Sequence, residues 1–392
     1  MYPFRIKPLV GFTVLYGTMY SAFGVASPFW PMFFESRGLS SQQLGTLLAL
    51  GTLARLVAGP VGGRIADAVG LRVVLAVCAT LATFAALGLL PTHEHAVLVA
   101  IAVGQAAALA PITTIADALA VNSATDTSRN TFKYGLVRGI GSAAFVIGTL
   151  VAGNLLSQRF PLSAIVWAHA MLLAGVILGA TLVPGLSIPN AFSKTGGAKV
   201  TTGAFGALLQ NTVFRHVIMI SALIFGSHAM HDAFAVIRWT ASGISPLMTS
   251  LLWSEAVLAE IAVFFFIGPF IIDRFGPRGV AAIAAIAGIV RWTVMSQTTE
   301  VGALALAQPL HGFTFALLHL ACMRLIRFAV SPVFAATAQS VYAFGPAIAS
   351  AVLTYFSGFL YQELGALGFL AMASLCGLAI PIALLLPSSL DR

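Results

Sequence analysis

Charge is what this sequence has least of. Only 8% of its 392 residues are charged, whereas a soluble domain carries about 25%. That shortage excludes a water-soluble fold of this size, whose surface so few charges could not cover. Cysteine is scarce too. Cys78, Cys322 and Cys376 all lie in apolar runs, without metal-ligand spacing and with no reason to expect a disulfide. No stretch matches G-x-x-x-x-G-K-[ST], which argues against ATP-driven transport within the chain, and no hydrolase signature occurs, so an enzyme is not expected. The N-terminus runs from Met1–Pro8 into an apolar stretch without a small-residue cleavage site, and reads as a first membrane helix rather than a removed signal peptide. Long polar loops are also missing, which leaves a receptor or scaffold almost no soluble surface to offer a partner.

What is present is apolar: 59% of residues, with a mean hydropathy of +0.97. The chain reads as a polytopic membrane protein, with the lipid bilayer as its partner. The pI of about 9.8 does not argue for nucleic acid, because the basic residues are scattered through short loops. On the template of about 20 apolar residues per span, twelve helices are expected, at roughly 9–35, 42–63, 72–90, 96–122, 132–157, 162–184, 213–241, 247–271, 278–297, 301–328, 334–358 and 364–386. The expected fold is an all-α integral membrane protein with twelve transmembrane helices in two pseudo-symmetric six-helix bundles. Residues 1–184 form the N-terminal bundle, 185–212 a polar, glycine-containing cytoplasmic linker, and 213–392 the C-terminal bundle. With the N-terminus inside, Arg5, Lys7, Arg64, Arg72, Arg129, Lys133, Lys194, Lys199, Arg215, Arg274, Arg278, Arg327 and Arg392 fall on the inner side. Only Arg37 and Arg159 fall outside. This asymmetry sets both termini and the linker in the cytoplasm.

A charged, glycine-bearing turn recurs half a chain apart. The first copy carries Gly63, Asp67, Gly70 and Arg72; the second carries Asp273, Gly276 and Arg278, with Asp, Gly and Arg each displaced by the same interval. Such a repeat points to two homologous halves. Glycine permits the backbone angles of a tight reversal. Asp67 can face the N-terminus of the following helix, and Arg72 can meet lipid phosphate or a neighbouring helix end.

Ionisable groups at membrane depth are costly and point to function. The first half places Arg55, Asp117 and Arg138 in helices 2, 4 and 5. Asp117 and Arg138 are placed to meet as an ion pair, which would either fix helix packing or bind solute. The second half holds more: His228, His231, Asp232 and Arg238 in helix 7, Glu255 and Glu260 in helix 8, Arg291 in helix 9, and His311, His319 and Arg324 in helix 10. The spacing of His228, His231 and Asp232 suits zinc, but no cysteine is near and further ligands would have to come from other helices. A proton relay or a hydrogen-bonding site for solute suits the set better, since histidine titrates near neutral pH. His169 reads as a satisfied core histidine, and Arg324 as a side chain snorkelling to the interface.

The duplicated turn resembles that of the major facilitator superfamily, where it latches the two halves on the cytoplasmic side. Within it the chain is similar to the phenylpropionate permease group, relatives of lactose permease. The residues that carry the resemblance are Pro28-Phe29-Trp30, Ala116-Asp117-Ala118-Leu119-Ala120, Tyr134-Gly135-Leu136-Val137-Arg138, Gly141-Ser142-Ala143-Ala144-Phe145, Ala259-Glu260, Val290-Arg291-Trp292, His311, His319-Leu320-Ala321 with Arg324, and Gly358-Phe359-Leu360-Tyr361. The resemblance implies a proton symporter working by alternating access, with the proton as coupling ion and no other cofactor. It implies a substrate-binding pair of Asp117 and Arg138, beside which Trp30, His228, His231 and Asp232 are taken as further candidates for solute contact, His231-Asp232 being a departure from the family pattern. It implies a proton-coupling set of Glu260, Arg291, His311 and His319, with Glu255 as a rival carboxylate. The expected solute is a small organic molecule, an aromatic monocarboxylate such as a phenylpropionate-like acid. The competing readings are a sugar or nucleoside symporter, a drug or metabolite efflux carrier and, outside the carriers, a channel or membrane receptor. A monomer in a bacterial inner membrane is expected.

Overall fold

The computed structural model describes residues 8–125, 132–184, 206, 208–331 and 334–387. Most of the expected linker lies outside them, as do Arg5, Lys7, Arg129, Lys194, Lys199 and Arg392. Among the described residues every regular element is helical. These residues fall into two compact units, one drawn from Met1–Leu39, Leu50–Ile188 and Ser245–Ser250, the other from Ser40–Ala49, Pro189–Ile244 and Leu251–Arg392.

The first unit is built on α1 (Pro8–Ala26), short α2 (Trp30–Ser36), α3 (Ser41–Val69) from Leu50 onward, α4 (Leu71–Gly88), α5 (His95–Thr125), α6 (Tyr134–Ser157) and α7 (Ser163–Leu182). Helix α1 is its axis. Phe12, Leu15, Tyr16 and Met19 are fully buried and share a core with residues of α4, α5, α6 and α7 such as Leu75, Ile112, Leu119, Val137 and Leu173. Two hydrogen bonds join α1 and α6 reciprocally. The Ser21 hydroxyl donates to the Ala144 carbonyl at 3.2 Å, and the Thr149 hydroxyl donates to the Gly24 carbonyl at 3.0 Å. In lipid, where apolar burial does not drive helices together, such bonds and close packing do.

The second unit contains α8 (Thr212–Gly226), α9 (Ala229–Ala241), α10 (Pro246–Ala262), α11 (Gly268–Gln297), α12 (Val301–Ala307), α13 (Leu310–Gly312), α14 (Leu318–Ala329), α15 (Ala335–Leu364) and α16 (Gly368–Leu384). Two π-helical turns interrupt it, Val263–Ile267 after α10 and Phe313–Leu317 after α13. The outer surfaces are apolar: Phe84 is 68% exposed, Phe266 76% and Leu306 82%. Exposed apolar surface on this scale requires a lipid environment.

Ten helical stretches among the described residues are long and apolar enough to cross a membrane. Two of them, Pro246–Gln297 and Thr337–Leu384, have 52 and 48 residues, too long for one crossing at 1.5 Å per residue. Each is broken by a glycine at positive φ, Gly276 at 66° and Gly365 at 54°. Divided there, the stretches yield twelve membrane-length segments, the number read from hydropathy. Several expected helices are interrupted. The first breaks between Ala26 and Trp30, the seventh at Ser227–His228, and the tenth at Gln308–Pro309. Proline explains the first and last, since it donates no backbone hydrogen bond and crowds the preceding turn.

Candidate functional site

The duplicated turn has the backbone its glycines predict. Gly70 sits at φ 117°, ψ 132° before α4, and Gly276 at φ 66°, ψ 168° inside α11. Arg72 meets a neighbouring helix end: its Nε donates to the Ala180 carbonyl at 3.0 Å and its Nη2 to that of Thr181 at 2.9 Å. It thereby satisfies carbonyls left open at the C-terminus of α7. In the second copy Asp273 accepts a hydrogen bond from Arg324 Nη1 at 2.7 Å. Arg324 is therefore held by a carboxylate and does not simply snorkel, a correction that hydropathy alone could not supply.

In the first unit Asp117 does not form the expected ion pair with Arg138. Its Oδ1 accepts from the hydroxyl of Tyr16 and from that of Tyr134 at 3.1 Å. The Arg138 guanidinium lies instead over the ring of Tyr20, 4.8 Å from its centroid. Tyr16 is one turn from Tyr20 on α1, and Tyr134 one turn from Arg138 on α6, so both pairs share a helix face. Sequence reasoning assigned none of these tyrosines a role; their spacing of four was the available signal. Trp30 stands apart, packed on Phe33, Phe34 and His169. His169 is buried, with Nδ1 2.9 Å from the Ala22 carbonyl, in keeping with a core histidine.

The second unit carries a linear array of five ionisable groups. Asp232 Oδ1 lies 3.1 Å from His231 Nδ1. His231 Nε2 lies 3.4 Å from Arg291 Nη2. Arg291 Nη1 lies 3.1 Å from His311 Nδ1, and His311 Nε2 lies 3.6 Å from Glu260 Oε2. Guanidinium is a donor only, so the imidazole nitrogen facing it must accept. The other nitrogen then carries the hydrogen and points it at a carboxylate. Both imidazoles are neutral links between one cation and two acids. Arg291 is fully buried. Its charge is met further by Gln308 Oε1 at 2.9 Å and by the Trp292 ring, 4.6 Å away. His231 is stacked on Trp253 with ring centroids 5.0 Å apart.

His228 sits at the break between α8 and α9, with Nε2 2.9 Å from Thr314 Oγ1. The Trp292 indole donates to the Ser227 hydroxyl at 2.9 Å, and the Cys376 thiol to the same hydroxyl at 3.3 Å. His319 lies two turns past His311, stacked on Phe264 at 6.2 Å, and Glu255 is half-buried on α10 five residues before Glu260. Glu255 does not enter the array, while His319 lies within electrostatic reach of Glu260. Gln308, Thr314 and Trp253 are the neighbours that sequence reasoning missed. Gln308 had a signal, an amide inside an apolar run one turn before His311; the other two had none.

Residues 9–371 match the family described as the MFS_1 like family. A relative from Escherichia coli (strain K12), the "Probable 3-phenylpropionic acid transporter", is 32% identical over 377 residues, covering 95% of this chain and 95% of its own. Among solved structures, the nucleoside transporter NupG superposes with a TM-score of 0.82 at 16% identity, covering 97% of this chain and 98% of its own. A D-xylose-proton symporter superposes at 0.68 and 13% identity over 100% of both chains. These last two are likenesses of fold.

Proposed function

The chain belongs to the MFS_1 like family and, within the major facilitator superfamily, to the phenylpropionate permease group, and from that premise we propose that it is a proton-coupled symporter of a small aromatic monocarboxylate working by alternating access. As a member it is a multi-pass membrane transporter and not an enzyme. The coupling ion, the solute and the direction of transport are our reading. So are its place as a monomer in a bacterial inner membrane with both termini cytoplasmic and its division into bundles at 1–184 and 213–392.

The observation that carries the reading is the array Asp232–His231–Arg291–His311–Glu260. With the imidazoles neutral, two carboxylates face one buried guanidinium, so one carboxylate can take up a proton to bring the set to neutrality and release it to leave a single negative charge. Glu260 carries the proton in this reading, with Arg291 and His311 setting its affinity, while His228, His231 and Asp232 face solute as well. In the first unit Arg138 takes the solute carboxylate, because a planar guanidinium holds a carboxylate through two parallel hydrogen bonds. The relative named for 3-phenylpropionic acid supports an aromatic acid as the solute. Asp67, Gly70, Arg72 and their counterparts Asp273, Gly276 and Arg278 act as the conformational latch.

The test is uptake of labelled 3-phenylpropionate into proteoliposomes. Under an inward proton gradient we expect accumulation above the external concentration, abolished by a protonophore, and saturable counterflow without any gradient. Saturable uptake that never exceeds equilibrium would remove proton coupling. Absence of binding and counterflow with aromatic acids, alongside counterflow with a sugar or nucleoside, would remove the solute assignment.

A further inference from the structure

Arg138 is exposed on α6, and among the described residues no carboxylate lies within ion-pair distance of it. This is unexpected. Tyr134, one turn earlier on the same face, reaches Asp117 at 3.1 Å, so a flexible arginine at 138 has that carboxylate within its sweep. Two observations account for the separation. Oδ1 of Asp117 already receives two phenolic hydrogens, from Tyr16 and Tyr134, and hydrogen bonds to a charged acceptor are strong. The guanidinium also has an alternative seat on the Tyr20 ring. That ring lies flat against α6 because residue 141 is glycine: a Cβ there would stand 2.7 Å from Tyr20 Cδ2, closer than carbon atoms pack. The Tyr20 ring is in turn stacked on Tyr16, 5.8 Å away at 27°, and edged by Phe23 at 5.8 Å and 81°.

We propose that Tyr16 and Tyr134 are positioning residues that occupy Asp117 and so keep Arg138 free for a solute carboxylate, with Tyr20 and Phe23, backed by the buried Tyr16 ring, forming the platform for the solute's aromatic ring. The proposal deepens the solute reading given above and rests on it only for the ligand. The tyrosines decide which acid Arg138 meets. With both phenols present, Oδ1 of Asp117 is engaged and the carboxylate is held toward them, while the guanidinium waits on an aromatic surface. Without them Asp117 takes the guanidinium, and an internal carboxylate competes with the solute. The arrangement selects a ligand with an acid at one end and a flat apolar ring beside it, and disfavours neutral polyols, which offer the guanidinium no charge.

The experiment has a ligand-independent arm. Phenylglyoxal modification of Arg138, followed by mass spectrometry on the purified full-length protein, reports whether the guanidinium is free. We expect Tyr16→Phe/Tyr134→Phe to slow modification about tenfold, the scale of one charge-assisted hydrogen bond. Adding Asp117→Asn to that double variant should restore the rate. The second arm measures binding of 3-phenylpropionate: the double variant should weaken it about tenfold, and the triple variant should recover it. Thermal unfolding checks that each variant is folded. An unchanged modification rate in the folded double variant overturns the proposal, as does failure of Asp117→Asn to restore it. If modification behaves as expected while no variant, nor the native protein, binds 3-phenylpropionate, the positioning role stands and the solute reading falls. Tyr16→Phe alone, at a fully buried ring, provides a milder variant should the double one not fold.

Discussion

Replacing Glu260 by glutamine separates coupling from transport. The Glu260 side chain is about one-third exposed, with Oε2 3.6 Å from His311 Nε2. Glutamine keeps nearly the same shape and can still turn its carbonyl oxygen to the imidazole, so His311 and Arg291 need not move. What disappears is the ability to hold a proton. One proton moving with one monoanion is electroneutral, so the driving force is the pH difference: about 1.36 kcal/mol, or roughly tenfold accumulation, per pH unit. Two protons per anion would add the electrical term, about 2.3 kcal/mol per 100 mV. In proteoliposomes with an imposed gradient of one pH unit, the native protein should therefore concentrate 3-phenylpropionate about tenfold. Glu260→Gln should fall to equilibrium while retaining counterflow exchange. Accumulation by Glu260→Gln, together with its loss in Glu255→Gln, would refute the assignment and move the proton to the other carboxylate of α10. Joint loss of exchange and accumulation, in a folded protein, would make Glu260 a packing residue instead.

Other predictions test the array, the turn and the latch. Gln308→Leu removes the 2.9 Å acceptor of a fully buried guanidinium and should destabilise the protein by about 1–3 kcal/mol, read as a lowered thermal unfolding midpoint. Gly276→Ala places a Cβ at φ 66°, ψ 168°, a region essentially reserved for glycine, and should cost about 1–3 kcal/mol in the same assay. Asp273→Asn weakens an ion pair whose carboxylate side chain is 71% exposed, so stability should change by less than about 1 kcal/mol; a larger loss would mean the pair is shielded in the membrane. Asp67→Asn should raise labelling of cysteines introduced on the inner side, and unchanged labelling in a folded variant would count against the latch.

Hydropathy carried the architecture because lipid leaves the chain little choice: each crossing must be helical, apolar outside and about twenty residues long. The repeated Asp, Gly and Arg of the two turns pointed to an internal duplication, and the positive φ of Gly70 and Gly276 is what a charged reversal with glycine predicts. Charge inside apolar runs likewise pointed to Glu260, Arg291 and His311, which do converge. It misled at Asp117 and Arg138, since opposite charges on adjacent helices suggest an ion pair while phenols are silent in a charge count. Tyr16 has the composition of an ordinary core aromatic, and only its hydroxyl's aim at Asp117 distinguishes it. Arg324 misled for the opposite reason. Its place near a helix end fits snorkelling, and Asp273 lies 51 residues away in sequence.

The breaks in the second unit connect the site to the fold. Glu260 precedes the π turn Val263–Ile267 by one turn. His311 lies between Pro309 and the π turn Phe313–Leu317, and His228 lies between α8 and α9. Irregular backbone inside a membrane leaves carbonyls without their usual partners, and in lipid each such group is costly unless something satisfies it. Side chains of the same cluster do so. His228 Nδ1 reaches the Phe225 carbonyl at 3.2 Å, the Thr314 hydroxyl faces that of His311 at 3.2 Å, and the Ser227 hydroxyl donates to that of Ile224 at 2.7 Å. The polar residues thus stabilise the distortions that position them. A regular helix would carry Glu260 and His311 in a different register relative to Arg291. Removing Thr314 or Ser227 should therefore alter coupling through backbone geometry, even though neither carries a titratable group.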